Sequence, residues 1–185
     1  MGNPLTGQNG RRQLGGTDAK RLSRQWRRST QARLWLVLDA VGQPFNVGSI
    51  IRTAAAFGVE ELWLCGDSAP ARHPSARKTA LGTERHLRIQ QAPDAAAAAA
   101  AARAEGLRVV AIELAAGATP LHEAPLDGAV CLALGNEDRG CSPALLAAAD
   151  AVAYIPLPGK VGSLNVAAAA AIALAEARRR EWMPG

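Results

Sequence analysis

The sequence predicts an α/β domain with a largely parallel sheet flanked by helices. Continuous apolar runs of strand length alternate with helical segments, and glycine or proline marks many of the joints between them. Leu-Trp-Leu-Val-Leu-Asp-Ala (34–40) reads as a buried strand, followed by a turn at Gly42-Gln43-Pro44. Asn46 is expected to N-cap the next helix, which Gly58 closes. A second strand spans 59–66 and a short one 87–90, separated by a Pro-, Ser- and Arg-rich stretch too polar for the core. Pro93-Asp94 opens a helix containing eight consecutive alanines, Ala95–Ala102, and Gly106 ends it. Strands follow at 107–114, 129–135 and 151–157. Ser142-Pro143 supplies an N-cap with proline at the first helical position. A last helix runs from about Leu164 to Arg178–Arg180, cations that suit the negative end of its dipole.

With 185 residues, 49% of them hydrophobic, one ordinary core is the expectation: residues 34–185 as a domain, preceded by a basic arm, 1–33, that is flexible or helical. The net charge of +5 is unevenly spread. The arm holds eight Lys/Arg and one acid, Asp18, whereas the remainder holds thirteen basic and fifteen acidic residues. Arg21, Arg24, Arg27 and Arg28, with Trp26 among them, suit a polyanion: cations displace counterions from phosphates and an aromatic ring can stack on a base. A solvated tail without a ligand is the alternative. No apolar run of membrane-spanning length or signal-peptide pattern occurs, so a soluble, cytoplasmic protein is expected. His73, His86, His122, Cys65, Cys131 and Cys141 lack metal-ligand spacing, and neither a metal nor a disulfide framework is expected.

Three loops carry unusual residues. The first, Gly-Gln-Pro-Phe-Asn-Val-Gly-Ser-Ile-Ile-Arg, places Asn46 and Arg52 at a strand-to-helix junction. Taken alone, that segment is better explained by a capping asparagine and a surface arginine. The second, Leu-Gly-Asn-Glu-Asp-Arg-Gly (134–140), has glycines that permit close backbone approach around Glu137, and a plain Asp-rich turn would explain it equally. The third, Ile-Pro-Leu-Pro-Gly-Lys-Val-Gly-Ser-Leu-Asn-Val (155–166), crowds prolines and glycines before a helix and offers Ser163 and Asn165. Neither a dinucleotide fingerprint nor a P-loop is present.

In this order the three loops resemble the SpoU (TrmH-type) branch of the SPOUT RNA methyltransferases, from about Leu34 to Arg180. The resemblance implies a bent S-adenosylmethionine pocket, a C-terminal trefoil knot threaded by the third loop, and a homodimer whose active site mixes residues of both chains. Catalytic positions would be Asn46, Arg52, Glu137, Ser163 and Asn165. Cofactor contacts would come from Ile112, Glu113, Leu114, Gly135, Asn136, Ile155, Leu157 and Leu164. Leu157 replaces the family's more common methionine, a size-conserving change, and Pro158 stiffens the loop.

The implied reaction is in-line attack of a ribose 2′-oxygen of tRNA or rRNA, with a slight lean to tRNA, on the activated methyl group. Arginine is a poor proton acceptor, so Arg52 is expected to hold the hydroxyl and a phosphate rather than act as sole base. Arg77, Lys78 and Arg85 in the polar stretch are expected to form a further phosphate-contacting surface, with a solvated charged loop as the alternative. A catalytically silent RNA-binding module and a base-nitrogen methyltransferase are the competing functions. The intact polar set argues against the first, and Ser-Leu-Asn in the third loop against the second.

Overall fold

The computed structural model describes residues 13–183, which divide between Gln31 and Ala32 into two compact units. The first contains helix α1 (Gly16–Ser29), which buries no residue. Arg21, Arg24, Gln25 and Arg28 recur at helical spacing and line a shallow cleft on one face.

The second unit is built on a seven-stranded sheet. In chain order its elements are β1 (Leu34–Asp39), α2 (Pro44–Ala56), β2 (Glu61–Cys65), α3 (Pro74–Ala80), a 3₁₀ turn (Thr83–His86), β3 (Arg88–Ala92), α4 (Ala95–Ala104), β4 (Arg108–Ile112) and β5 (Thr119–Pro120). A second 3₁₀ turn (Leu121–Glu123), β6 (Val130–Leu134), α5 (Pro143–Ala148), β7 (Ala151–Tyr154) and α6 (Val166–Trp182) complete it. The spatial order is β3-β2-β1-β6-β4-β7-β5, and every pairing is parallel. The parallel sheet expected from the apolar runs is therefore present. β6 lies between β1 and β4, so the chain changes direction across the sheet there, and ligands bind such sheets beyond the strands' C-terminal ends. Leu134 pairs with both Leu38 and Ile112, and Ile112 with Ala153, so four strands end at one level beneath the loops that follow them.

Alternation along β1 separates the two core layers. Leu34, Leu36 and Leu38 join Ile50 and Ile51 of α2 and Leu174 of α6, whereas Trp35 and Val37 join α4 and α5. The alanine helix is an ordinary core helix: Ala95, Ala98, Ala99 and Ala102 form its buried stripe. Asp94 caps it, accepting from the Ala97 N–H, and Ser142 caps α5 in the same way.

Four expectations are corrected. Asn46 is not the cap of α2. Pro44 takes the first helical position after Gln43, which leaves Asn46 inside the first turn with its side chain available for other contacts. The polar stretch contains α3, whose Ala76 and Ala80 are buried one turn apart while its charged residues face outward. β5 was not anticipated; two residues are too few to leave a periodic signal. Arg178 is not one of the last-turn cations of α6, which are Arg179 and Arg180; it is 3% exposed, donating to the carbonyls of Phe57, Gly58 and Ala32 and to Glu181.

α2 and α3 approach closely at Gly48, where an added Cβ would run into the carbonyl oxygen of Ala76. Gly48→Ala would gain about 1 kcal/mol in helix propensity. Forcing α3 away costs about 1–3 kcal/mol. A net loss of stability in urea unfolding is expected, with unchanged α-helical circular dichroism.

Candidate active site

The three loops meet above the C-terminal ends of β1, β6 and β7. Asn165 N-caps α6 through Oδ1, which accepts from the N–H groups of Ala167 at 2.9 Å and Ala168 at 3.4 Å. That role turns its Nδ2 outward, where it donates to Asn46 Oδ1 at 2.9 Å. Asn46 must then present Nδ2 to its other neighbour, and it donates to Glu137 Oε1 at 2.8 Å. Glu137 also accepts from the backbone N–H groups of Gln43 and Gly42 at the start of α2. One hydrogen-bonded chain, Glu137–Asn46–Asn165, thus ties the three loops together. The sequence suggested a local cap for α2; the carboxylate arrives instead from a residue 91 positions away.

Burial alone would raise the pKa of Glu137, but the hydrogen bonds from Asn46 and from backbone N–H groups outweigh it and hold the carboxyl below its ordinary value. A carboxylate stabilised in this way is a weak proton acceptor and serves as an anchor. Because the fold favours the ionised form, its stabilisation is present above the ordinary carboxylate value near 4.5 and is lost as pH falls through the lowered one. Glu137→Gln is expected to cost about 1 kcal/mol at neutral pH, as for loss of a helix cap. It should also flatten the fall in melting temperature between neutral pH and pH 3.

The second loop is held rigidly. Asn136 and Gly140 form an antiparallel bridge, and Asn136 Oδ1 accepts from the N–H groups of Asp138 and Arg139 while its Nδ2 donates to the Ala40 carbonyl at 2.7 Å. Glu113 accepts from the Cys141 N–H at 2.8 Å, and its carboxylate fills the space that a side chain at Gly140 would need. At Gly135 a Cβ would meet the backbone of Gly140 and Cys141. These contacts give physical reasons for both glycines of Gly-Asn-Glu-Asp-Arg-Gly.

Between this loop and residues 155–164 lies a cavity of about 620 Å³. All eight positions expected to contact a cofactor line it, together with Glu137 and Ser163. Leu114, Val161 and Leu164 give it exposed apolar walls. Among the described residues, no backbone group of 156–164 is paired, so the loop's N–H and carbonyl groups are free for a ligand. Tyr154, Asp138 and Lys160 also line the cavity and were not anticipated. Lys160, its sole cation among the described residues, stands within the third motif, so its position was the available signal.

Arg52 is not gathered into the hydrogen-bonded chain. Six residues beyond Asn46 on a helix place it about 9 Å further along the axis and roughly 120° around it. It is exposed and makes no ion pair or side-chain hydrogen bond with any described residue. Arg77, Lys78 and Arg85 are exposed on α3 and the 3₁₀ turn. Arg27 lies on α1 outside the cleft formed by Arg21, Arg24 and Arg28. Burial pushes the Cys65 thiol up to about 12 and also raises Cys131 and Cys141, so all three stay protonated. Among the described residues there is no cluster able to hold a metal ion and no helix long and apolar enough to cross a membrane.

Fold and site together define a parallel α/β domain with a ligand cavity at its switch point, edged by a fixed carboxylate–diamide chain. The profile of the SpoU rRNA Methylase family matches residues 33–175, and the chain belongs to that family. It is 36% identical over 148 residues to the 23S rRNA (guanosine-2′-O-)-methyltransferase RlmB of Acinetobacter baylyi, covering 80% of this chain and 60% of that protein. It is 31% identical over 155 residues to the tRNA (guanosine(18)-2′-O)-methyltransferase of Escherichia coli, covering 84% and 67%. The crystal structure of the SpoU methyltransferase AviRb from Streptomyces viridochromogenes in complex with AdoMet superimposes with a TM-score of 0.74 at 29% identity, covering 83% of this chain and 62% of that one. The chain thus spans about three-fifths of the rRNA-directed relative.

Proposed function

We propose that the chain transfers a methyl group from S-adenosylmethionine to a ribose 2′-hydroxyl of tRNA or rRNA. The observation that carries this reading is the convergence of the eight expected cofactor positions on one cavity, with the Glu137–Asn46–Asn165 chain at its edge. The related enzymes named above act on guanosine 2′-hydroxyls in 23S rRNA and tRNA, and the AviRb structure holds AdoMet.

The cavity fits that cofactor in size and chemistry. Ile155, Leu157 and Leu164 offer apolar surface to an adenosine, the free backbone groups of 156–164 can pair with its polar edge, and Lys160 can face its carboxylate. When bound, the group supplies a methyl already activated by sulfonium charge. The protein's remaining task is therefore to orient the hydroxyl and help its proton leave. Ser163, whose hydroxyl has no partner among the described residues, is placed to touch the nucleotide. Asn46 and Asn165 fix the edge of the site through Glu137, and Arg52 grips the hydroxyl and an adjacent phosphate. The cationic face of α1 and the surface bearing Arg77, Lys78 and Arg85 hold the rest of the RNA.

A homodimer that contributes residues from both chains to each site is part of the proposal; it accounts for an exposed Arg52 that pairs with no described residue and lies off the cavity wall. So are threading of residues 155–165 through a trefoil knot, as the family membership supports, and a cytoplasmic location. The test is transfer of a labelled methyl group to unmodified tRNA and rRNA pools offered separately. Label in one pool is expected; cofactor binding without label in either pool would contradict the reading.

A further inference from the structure

We infer that the corner between α3 and the first 3₁₀ turn, Leu81-Gly82 with Arg77, Lys78 and Arg85 around it, grips an unpaired base beside the nucleotide being methylated. The inference rests on the RNA-methylation reading and extends it to residues outside the cavity.

Leu81 is an unusual place for a leucine. Its backbone is left-handed, at φ 54 and ψ 35, a conformation that disfavours side chains with a Cβ. Such strain is ordinarily offset by packing, yet the side chain is 64% exposed. The backbone beneath is firmly set: the Leu81 N–H donates to the Arg77 carbonyl, Thr83 Oγ1 donates to the Ala80 carbonyl, and Gly82 continues the left-handed turn at φ 78. An apolar side chain is therefore presented to solvent from a fixed support.

Its surroundings are cationic. Residues 72–88 hold five Lys/Arg and one acid, Glu84, one of whose oxygens is buried without a partner. Arg88 pairs with Glu61. Arg77 and Lys78 pair with no acid among the described residues, and Arg85 donates only to His86. Aromatic side chains on base faces, with cations on the flanking phosphates, hold single-stranded RNA without reading its sequence, and Leu81 offers an aliphatic counterpart of that contact. The densely charged phosphates of RNA suit this cationic surface better than a second copy of this chain, whose residues 34–185 hold nearly balanced charge.

The corner also has the right neighbour. Gly48 of α2 abuts Ala76 and Thr79 of α3. Arg52 lies one turn further along that same face of α2, and the 3₁₀ turn also contacts α2. The face that carries Arg52 is thus shared with the corner, while Asn46 joins α2 to the cavity. RNA lying across Arg52 would reach Leu81.

Leu81→Gly is the decisive variant, because glycine adopts this backbone conformation freely and the fold should be kept or stabilised. The expected result is an unchanged or raised melting temperature, kcat near wild type, and a KM for tRNA or rRNA raised about tenfold, as for loss of one base contact. The Arg77→Ala/Lys78→Ala double variant should weaken binding and reduce the salt dependence of log Kd by about 2. Wild-type KM and RNA affinity in Leu81→Gly would overturn the inference. So would conversion of a dimer to monomers with RNA affinity unchanged, which would make the corner a self-interface. Affinity for the same RNA is measured directly by anisotropy. A wild-type chain that binds RNA without methylating it would then contradict the activity reading while binding alone decides the corner.

Discussion

Arg52→Ala is expected to lower methyl transfer by about 10²–10³-fold, the usual cost of removing one charge-stabilising donor from an active site. Its melting temperature should hardly move. Arg52 is exposed and pairs with no described residue, and surface substitutions of that kind stay within about 0.5 kcal/mol. Cofactor affinity should also persist, because Arg52 does not line the cavity. Loss of activity with stability and cofactor binding retained is the signature of a residue that acts on the RNA. Arg52→Lys refines the result. Lysine keeps the charge but not the planar fork, so retained turnover would show that charge near a phosphate suffices. Stopped-flow or quench measurements of single-turnover methylation, beside thermal melts, check both.

Arg178→Ala is expected to act in the opposite manner, through stability. The Arg178 guanidinium donates to the Phe57 and Gly58 carbonyls at the end of α2, to the Ala32 carbonyl before β1, and to Glu181 at 2.8 Å. Its removal leaves three carbonyls and a largely buried carboxylate short of a donor. Breaking such a buried set typically costs about 3–5 kcal/mol, which at this chain length is a fall of roughly 10 °C in melting temperature. Glu181 also accepts from the Ala32 N–H, so Glu181→Gln should cost less. Arg178→Lys cannot serve three directions at once and should recover only part of the loss. Because α2 carries Asn46 and Asn165 caps α6, activity should fall only where the variant is partly unfolded.

Much of this fold was legible because its strands are buried on both faces and so appear as unbroken apolar runs. The polar stretch concealed α3 because only Ala76 and Ala80 turn inward; Pro74 at the first turn after His73 was the signal present. Eight consecutive alanines carry no pattern, so only packing selects Ala95, Ala98, Ala99 and Ala102. Arg178 was detectable in principle. Ala170, Ala173, Leu174 and Ala177 define a buried stripe that Arg178 continues, whereas Arg179 is exposed. At the site, the residue types of the three loops were legible, but their partnership was not. Whether Asn46 caps its own helix or joins a carboxylate to Asn165 depends on a contact spanning 91 residues and another spanning 119. No local rule of sequence contains either.

The central claim is that this cavity directs a methyl group to a ribose oxygen. The most direct measurement is to label RNA with methyl-tritiated S-adenosylmethionine, digest it, and separate nucleosides after enzymatic and after alkaline hydrolysis. The account predicts a single 2′-O-methylnucleoside and an alkali-resistant dinucleotide, both formed about 10²–10³-fold more slowly with Arg52→Ala. Label on a base, with every phosphodiester bond still alkali-sensitive, would contradict it.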